Sequence, residues 1–138
     1  MFTPEEIAYL QSQPLGRLGT LSPTGSPRVV PVGFDVDAAS GTIVISGYHL
    51  DDTSKWKAIQ RDPRVAFVVD DIVSTNPWTV RMMEIRGHAE TLSEGGKQIN
   101  PAFGDAVIRI TPDRIASFGI AGSPSGTRTF VEDASSQE

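Results

Sequence analysis

The sequence predicts a mostly β protein, a closed or nearly closed antiparallel β-barrel of about six strands with short helices. Apolar segments of strand length recur along the chain, and clusters of Gly, Pro, Ser and Asp separate them. Only two short segments read as helices. With 138 residues, 38% hydrophobic content and no apolar run near the roughly 18 residues of a membrane span, the chain should be one compact soluble domain. We expect the barrel in 1–120 and an acidic, partly disordered tail in 121–138.

The first third of the chain alternates short elements with turns. Thr3 and Glu6 form a capping box around Pro4, which predicts a short helix that ends near Pro14. Strand-like segments follow at 15–21, 28–36 and 42–47. The first two should form a hairpin, because the residues between them are a concentrated turn signal.

The second strand has two different faces. One face should lie in the core and consists of Val30, Val32, Phe34 and Val36. The other is unusually flat and consists of Val29, Pro31 and Gly33. Glycine beside proline inside a strand often marks an edge or a place where a ligand approaches the backbone.

The rest of the chain continues the alternation. A helix over 52–61 should end at Asp62-Pro63, because the residue before proline resists the helical region. Further strands are predicted at 64–70, 78–92, 106–111 and 114–118, the last two around a Pro112-Asp113 kink. The first of these reads as buried on both faces, because its apolar run is nearly continuous. We expect loops at 71–77 and 93–105, and disorder in at least the last ten residues.

The start of the second helix is the most informative feature. Thr53, Ser54, Lys55 and Lys57 place hydroxyls and positive charge at a helix opening between apolar strands. A helix start offers free backbone N–H groups and positive potential, so this segment is a candidate seat for a phosphate group. The alternative interpretation is an exposed, capped helix start.

Composition excludes several classes of function. The formal net charge of −5 should repel nucleic acid and anionic membranes, so an anionic ligand needs a local basic pocket. The absence of cysteine removes thiolate chemistry and fits a cytoplasmic protein, and the start lacks a secretion signal. Neither a phosphate-cradling nor a dinucleotide-binding glycine motif is present, and we assign no metal site and no catalytic residue.

An ordered set of segments carries a family resemblance. It comprises Leu15–Leu21, Gly25-Ser26-Pro27, Val30–Phe34, Thr53-Ser54-Lys55, Asp62–Val65, Val68–Asp71, Pro77-Trp78, Arg81, Glu84–Glu90 and Ile108–Ile115. In this order they make the sequence resemble the pyridoxamine 5′-phosphate oxidase-like split β-barrel superfamily, and within it the probable F420-dependent branch of actinobacteria.

The resemblance implies a cofactor site. In flavin-binding members a Ser-Arg-Lys segment binds the cofactor phosphate, which corresponds to Thr53, Ser54 and Lys55, so a serine stands where those members have arginine. The ring of the cofactor would rest on two segments: Pro31, Val32, Gly33 and Phe34, and Ser46, Gly47 and Tyr48. Trp78 and Arg81 lie where a second subunit commonly closes the pocket, although Trp78 reads almost equally well as a core residue.

The function implied is a homodimeric F420-dependent oxidoreductase that transfers a hydride between the deazaflavin and a small organic substrate. Arg17, Arg61 and Arg64 are possible lining for the anionic tail of that cofactor. Two alternatives stay open: an FMN-dependent oxidase or reductase, and a noncatalytic carrier of flavin, F420 or haem. The serine removes one positive charge from the phosphate seat, which counts against FMN because charge-assisted bonds contribute roughly 1.5–3 kcal/mol each. Lys57 either replaces that charge or is solvated.

Overall fold

A computed structural model describes residues 1–130 of the chain. Its helices are α1 (Pro4–Ser12), α2 (Ser54–Arg61) and α3 (Gly96–Ile99), with a 3₁₀ turn at Leu50–Asp52 before α2. Its strands are β1 (Leu15–Leu21), β2 (Pro27–Gly33), β3 (Asp35–Asp37), β4 (Thr42–Ser46), β5 (Arg64–Thr75), β6 (Trp78–Leu92), β7 (Val107–Phe118) and β8 (Gly126–Thr129). The predicted fold class, mostly β with short helices, is confirmed, and the sheet has eight strands where about six were predicted.

The strands form one antiparallel sheet that curls on itself. Its order is β2-β1-β5-β6-β7-β4-β3, and β8 pairs with β7. The two ends of this order, β2 and β3, are consecutive in the chain and separated only by Phe34. A flat sheet cannot place consecutive strands at opposite edges with one residue between them, so the sheet closes into a barrel at this junction.

The inside of the barrel is the core. Leu18, Phe67, Met83, Ile85 and Ile110 are each almost completely buried there.

Helix α1 begins with the predicted capping box, in which the Thr3 hydroxyl accepts from the Glu6 N–H and the Glu6 carboxylate accepts from the Thr3 N–H. No helix in residues 1–130 combines the length and the apolar character needed to cross a bilayer.

The predicted loop over 71–77 is wrong. Strand β5 continues to Thr75 and pairs with β6 up to Trp78, so a tight turn at Asn76-Pro77 joins two long strands. The pairing shifts between Ile72 and Ser74, which is a β-bulge at Val73. β5 is also buried on one face only, because Ala66 on the outer face is exposed.

Three further differences concern the C-terminal third. The predicted strands 106–111 and 114–118 are one strand, β7, because the Pro112-Asp113 kink is a bulge opposite Arg86 and Gly87. The predicted loop 93–105 contains the short helix α3. The predicted tail contributes β8, which pairs with β7 from Ser117 to Arg114. The disorder predicted for the last ten residues falls mostly on 131–138, which lie outside the described residues.

Candidate functional site

A cavity of about 230 Å³ lies at the amino end of α2, where this helix meets the β1–β2 hairpin. It is lined by Thr20, Arg28, Val30, Pro31, Ser54 and Lys55. Three of the predicted site residues, Pro31, Ser54 and Lys55, therefore lie around one cavity.

Local sequence explains why α2 begins at this cavity. Thr53 is the N-cap: its hydroxyl donates to the Leu50 carbonyl (2.6 Å) and accepts from the Trp56 N–H (3.3 Å). The amides of Ser54 and Lys55 precede the first intrahelical hydrogen bond, from the Lys57 N–H to the Thr53 carbonyl (3.3 Å). These two N–H groups are therefore available to an anion, whereas the Thr53 hydroxyl is already used in the cap.

Burial of one side of α2 fixes the direction of its lysines. Trp56 and Ile59 are buried against the barrel, as expected for helix packing. Lys55 is half-buried and lines the cavity, but Lys57 is exposed and does not. Successive residues of an α-helix diverge by about 100°, so two lysines separated by one residue cannot both point at one phosphate. The structure brings Lys55 to the cavity and leaves Lys57 in solvent.

Sequence reasoning missed Arg28. This residue lies opposite Thr20 in the β1–β2 ladder, and both line the cavity across from Lys55. Among residues 1–130, neither Arg28 nor Lys55 belongs to an ion pair. The cavity therefore holds two uncompensated cations, in a chain of net charge −5. The available signal was the position of Arg28 at the start of the flat-faced strand.

Pro31 connects the cavity to the flat face of β2, whereas Arg28 and Val30 occupy the alternate positions of the strand. Val29, Pro31 and Gly33 are exposed, as predicted, and a Cβ atom added to Gly33 would meet no atom within 4 Å. The same is true of Gly47, after β4. Such open glycines leave room for a planar group to lie against the backbone.

Val32 and Phe34 point the other way, into the core. Val32 is buried, and the Phe34 ring packs edge-on against Phe67 at 5.1 Å between centroids. Only the backbone of these two residues can therefore face a ligand on the flat side. This follows from strand alternation, because Pro31 and Gly33 occupy the outward positions.

The second predicted ring segment lies beside the first. Asp35 pairs with Val44, and this register, extended by two residues, places Gly33 beside Ser46. Cα atoms of β2 and β4 accordingly come within 8 Å of each other. Ser46 is half-buried, and Tyr48 is exposed with its ring edge-on to Phe103 at 4.8 Å. We name the surface formed by Pro31, Gly33, Ser46 and Gly47 the ring face.

Trp78 and Arg81 lie on the β5–β6 hairpin and do not line the cavity at α2. Trp78 is 67% exposed at the turn between β5 and β6, so it is not a core residue. Arg81 donates twice to Asp71 (3.1 and 2.7 Å) and lies 4.9 Å above the Tyr9 ring. Hydrogen bonds from Arg81 hold the pKa of Asp71 below its ordinary value. Burial of the Tyr9 hydroxyl and its hydrogen bond to Asp71 raise the pKa of Tyr9. Within one chain the Arg81 guanidinium is thus engaged.

The arginines proposed for a tail groove are also engaged. Arg17 pairs with Asp70 (2.6 Å), Arg64 with Asp62 (2.7 Å), and Arg61 donates to the Leu21 carbonyl (3.2 Å). None of the three lines the cavity at α2. Their part in binding a cofactor tail stays a prediction.

Comparison with known proteins places this geometry in a family. The sequence profile described as pyridoxamine 5′-phosphate oxidase matches residues 2–119. A 5a,11a-dehydrotetracycline/5a,11a-dehydrooxytetracycline reductase of Streptomyces rimosus is 40% identical over 137 residues, which covers 99% of this chain and 96% of that protein.

Solved structures agree on the fold. A conserved hypothetical protein of Mycobacterium tuberculosis matches with a TM-score of 0.70 at 21% identity, covering 98% of this chain and 94% of that one. A heme binding protein of Mycobacterium smegmatis matches with a TM-score of 0.67 at 18% identity, covering 94% of this chain and 59% of that one. The curled antiparallel sheet, the matched profile and the close relative lead to one conclusion: the chain belongs to the pyridoxamine 5′-phosphate oxidase family and has its split-barrel fold.

Proposed function

We propose that this protein is an F420-dependent reductase of a small organic molecule. One observation carries the proposal: a cavity with two uncompensated cations, Lys55 and Arg28, adjoins a smooth strand surface with open glycines. This combination suits a molecule with a phosphate at one end and a flat ring system at the other. The 40% identical relative, a dehydrotetracycline reductase, supports reduction as the direction and a polycyclic compound as the substrate type.

The charge at the start of α2 favours a phosphodiester over a phosphate monoester. A monoester carries about −1.5 to −2 charges at neutral pH, whereas a diester carries one. Ser54 replaces the arginine of flavin-binding members, so the helix start offers one cation fewer than theirs. F420 has a phosphodiester and FMN a monoester, so the smaller positive charge at this helix start matches F420 better. FMN is the second candidate.

The residues present fit such a cofactor. Ser54 and Lys55 would hold the phosphate with their amides and the lysine ammonium, and Arg28 would hold it from the opposite wall. A reduced deazaflavin, when bound, would supply a hydride. The chain would contribute position and exclusion of water: the ring face orients the ring plane, and the barrel behind it keeps solvent away from one side.

We also propose a homodimer. The extended β5–β6 hairpin exposes Ile72, Val73 and Trp78, and Phe118 is exposed on the neighbouring strand β7. Large apolar side chains grouped at a hairpin are typical of a surface that another protein covers. A second copy would bring such a surface to the open side of the ring face. Trp78 then acts as an interface residue, as the family resemblance implies.

The test is titration of the purified protein with F420 and with FMN, with binding monitored by fluorescence. F420 should bind at least tenfold more tightly. Lys55→Met should weaken F420 binding roughly tenfold to hundredfold, because it removes one charge-assisted contact. Lys57→Met is the matched control: the same change two residues along the same helix, at an exposed position, should leave affinity within about twofold. Preference for FMN, or equal losses in both variants, would overturn the assignment.

A noncatalytic carrier is the remaining candidate, and a heme binding protein shares the fold. Mixing stoichiometric reduced F420 with protein and 5a,11a-dehydrotetracycline separates the two. A reductase oxidises the cofactor in a single turnover, whereas a carrier binds it without consuming it.

A further inference from the structure

A second cavity, of about 340 Å³, opens where β3, β4 and β7 meet the segment that contains α3. Val44 and Val107 are its buried apolar lining, and Ile99 of α3 contributes a partly exposed edge. Its volume is at the lower end of the range typical of small-molecule sites, about 300–1,000 Å³. The cofactor assignment above makes no use of it.

This cavity begins where the ring face ends. Val107, in its lining, pairs directly with Ser46 of the ring face. Asp35, also in its lining, follows Gly33 by two residues, and its pairing with Val44 continues the register that places Gly33 beside Ser46. Residues two apart in an extended chain lie about 7 Å from each other. A molecule in this cavity would therefore reach the end of a ring system that rests on Gly33 and Ser46.

The cavity has a negative charge that the protein does not neutralise. Asp37 and Arg109 belong together, since Asp37 accepts from the Arg109 guanidinium (3.4 Å) and from the amides of Ala39 and Ser40. Asp35 and Glu94 have no hydrogen bond or ion pair from their side chains to any residue in 1–130. Two carboxylates without a partner, beside the apolar side chains of the same cavity, favour a ligand that brings its own cation.

We propose that this cavity is the substrate pocket and selects apolar, polycyclic molecules that carry a protonated amine. The apolar body lies against Val44 and Val107, and the ammonium lies between Asp35 and Glu94. The proposal rests on the proposed function for the role of the neighbouring ring face. Its charge preference can be measured without any cofactor.

The experiment compares tetracycline, which has a dimethylamino group, with 4-de(dimethylamino)tetracycline, which lacks it. Binding of each compound to cofactor-free protein is followed by the fluorescence of the compound. The wild type should bind the amine roughly tenfold more tightly, as expected for two partly exposed charge contacts. Asp35→Asn with Glu94→Gln should reduce this preference to about twofold or less, while binding of the compound without the amine stays unchanged.

Gln98→Ala is the matched control, because Gln98 lines the same cavity without charge. It should keep the preference for the amine. Equal binding of both compounds by the wild type, binding of neither, or a preference that survives the double substitution would overturn the proposal. These outcomes are separate from the cofactor test. Tight F420 binding and turnover with no amine preference refute the pocket alone, whereas amine preference without F420 binding refutes the cofactor assignment alone.

Discussion

Arg128→Met should destabilise the fold strongly, because it leaves a carboxylate buried without its cation. Glu6 on α1 has 0% of its surface exposed. Both of its carboxylate oxygens accept from Arg128 of β8 (3.1 and 2.5 Å), and one also accepts from the Thr3 N–H (2.9 Å). Removing Arg128 takes away the only ion-pair partner of Glu6 within residues 1–130.

Breaking a buried ion pair by deleting one partner costs about 3–5 kcal/mol. For a domain of this size each kcal/mol corresponds to roughly 3–5 °C in Tm, so the variant should melt about 10–20 °C lower. Urea unfolding followed by circular dichroism measures the free energy, and a thermal scan measures Tm. A loss below about 1 kcal/mol would refute the reasoning, since it would mean that water or another group satisfies Glu6.

The double variant Glu6→Gln with Arg128→Met is the control. It should recover much of the loss, because a neutral amide is far cheaper to bury than a carboxylate. The pair also predicts a pH dependence. Burial raises the pKa of Glu6, but hydrogen bonds from Arg128 and Thr3 outweigh it and bring the pKa below 4.5. Stability from this pair is therefore fully present above pH 4.5 and is lost as pH falls through the folded pKa.

Two further predictions concern the hairpin β5–β6. Tyr9→Phe removes the hydroxyl that donates to Asp71 (2.8 Å) and to the Arg81 carbonyl (3.2 Å), so urea unfolding should show a loss of about 1–2 kcal/mol with F420 affinity unchanged. Trp78→Ser should shift sedimentation velocity from dimer toward monomer, because the side chain is 67% exposed in the single chain and lies on the proposed interface. A variant that sediments as the wild type does would remove Trp78 from the interface.

Local signals in the sequence predicted the elements that local physics controls. The capping box at Thr3, the turn before β2 and the helix stop at Asp62-Pro63 all lie where predicted. The prediction of a loop at 71–77 was wrong because the Asp, Ser, Asn and Pro residues of this segment are typical of loops. Ladder pairing with β6 overrides that preference, and pairing is a property of two segments. Strand β8 was not predicted for the same reason. Its composition is typical of a disordered tail, and its ion pair to Glu6 joins residues that are 122 positions apart in the sequence.

The candidate site divides in the same way. Thr53, Ser54 and Lys55 were visible as a helix start, and Pro31 and Gly33 as a flat strand face. Arg28 was visible only as the first residue of a predicted strand, because the β1–β2 register and the packing of α2 on β1 bring it opposite Lys55. One-sided burial of β5 was also hidden, because an apolar run does not reveal whether its second face is covered by the same chain or by another.

Substitution of Gly33 tests the ring-binding surface without disturbing the fold. A Cβ atom there meets nothing within 4 Å, so Gly33→Val should fold as well as the wild type, or slightly better because valine favours strands. The added methyl groups would stand on the ring face, where a flat ring needs the backbone, and F420 affinity should fall at least tenfold by fluorescence titration. Thr127→Val, at an exposed position of β8, is the control and should change neither quantity. Undiminished F420 affinity in Gly33→Val would mean that the ring lies elsewhere, whatever Lys55 binds.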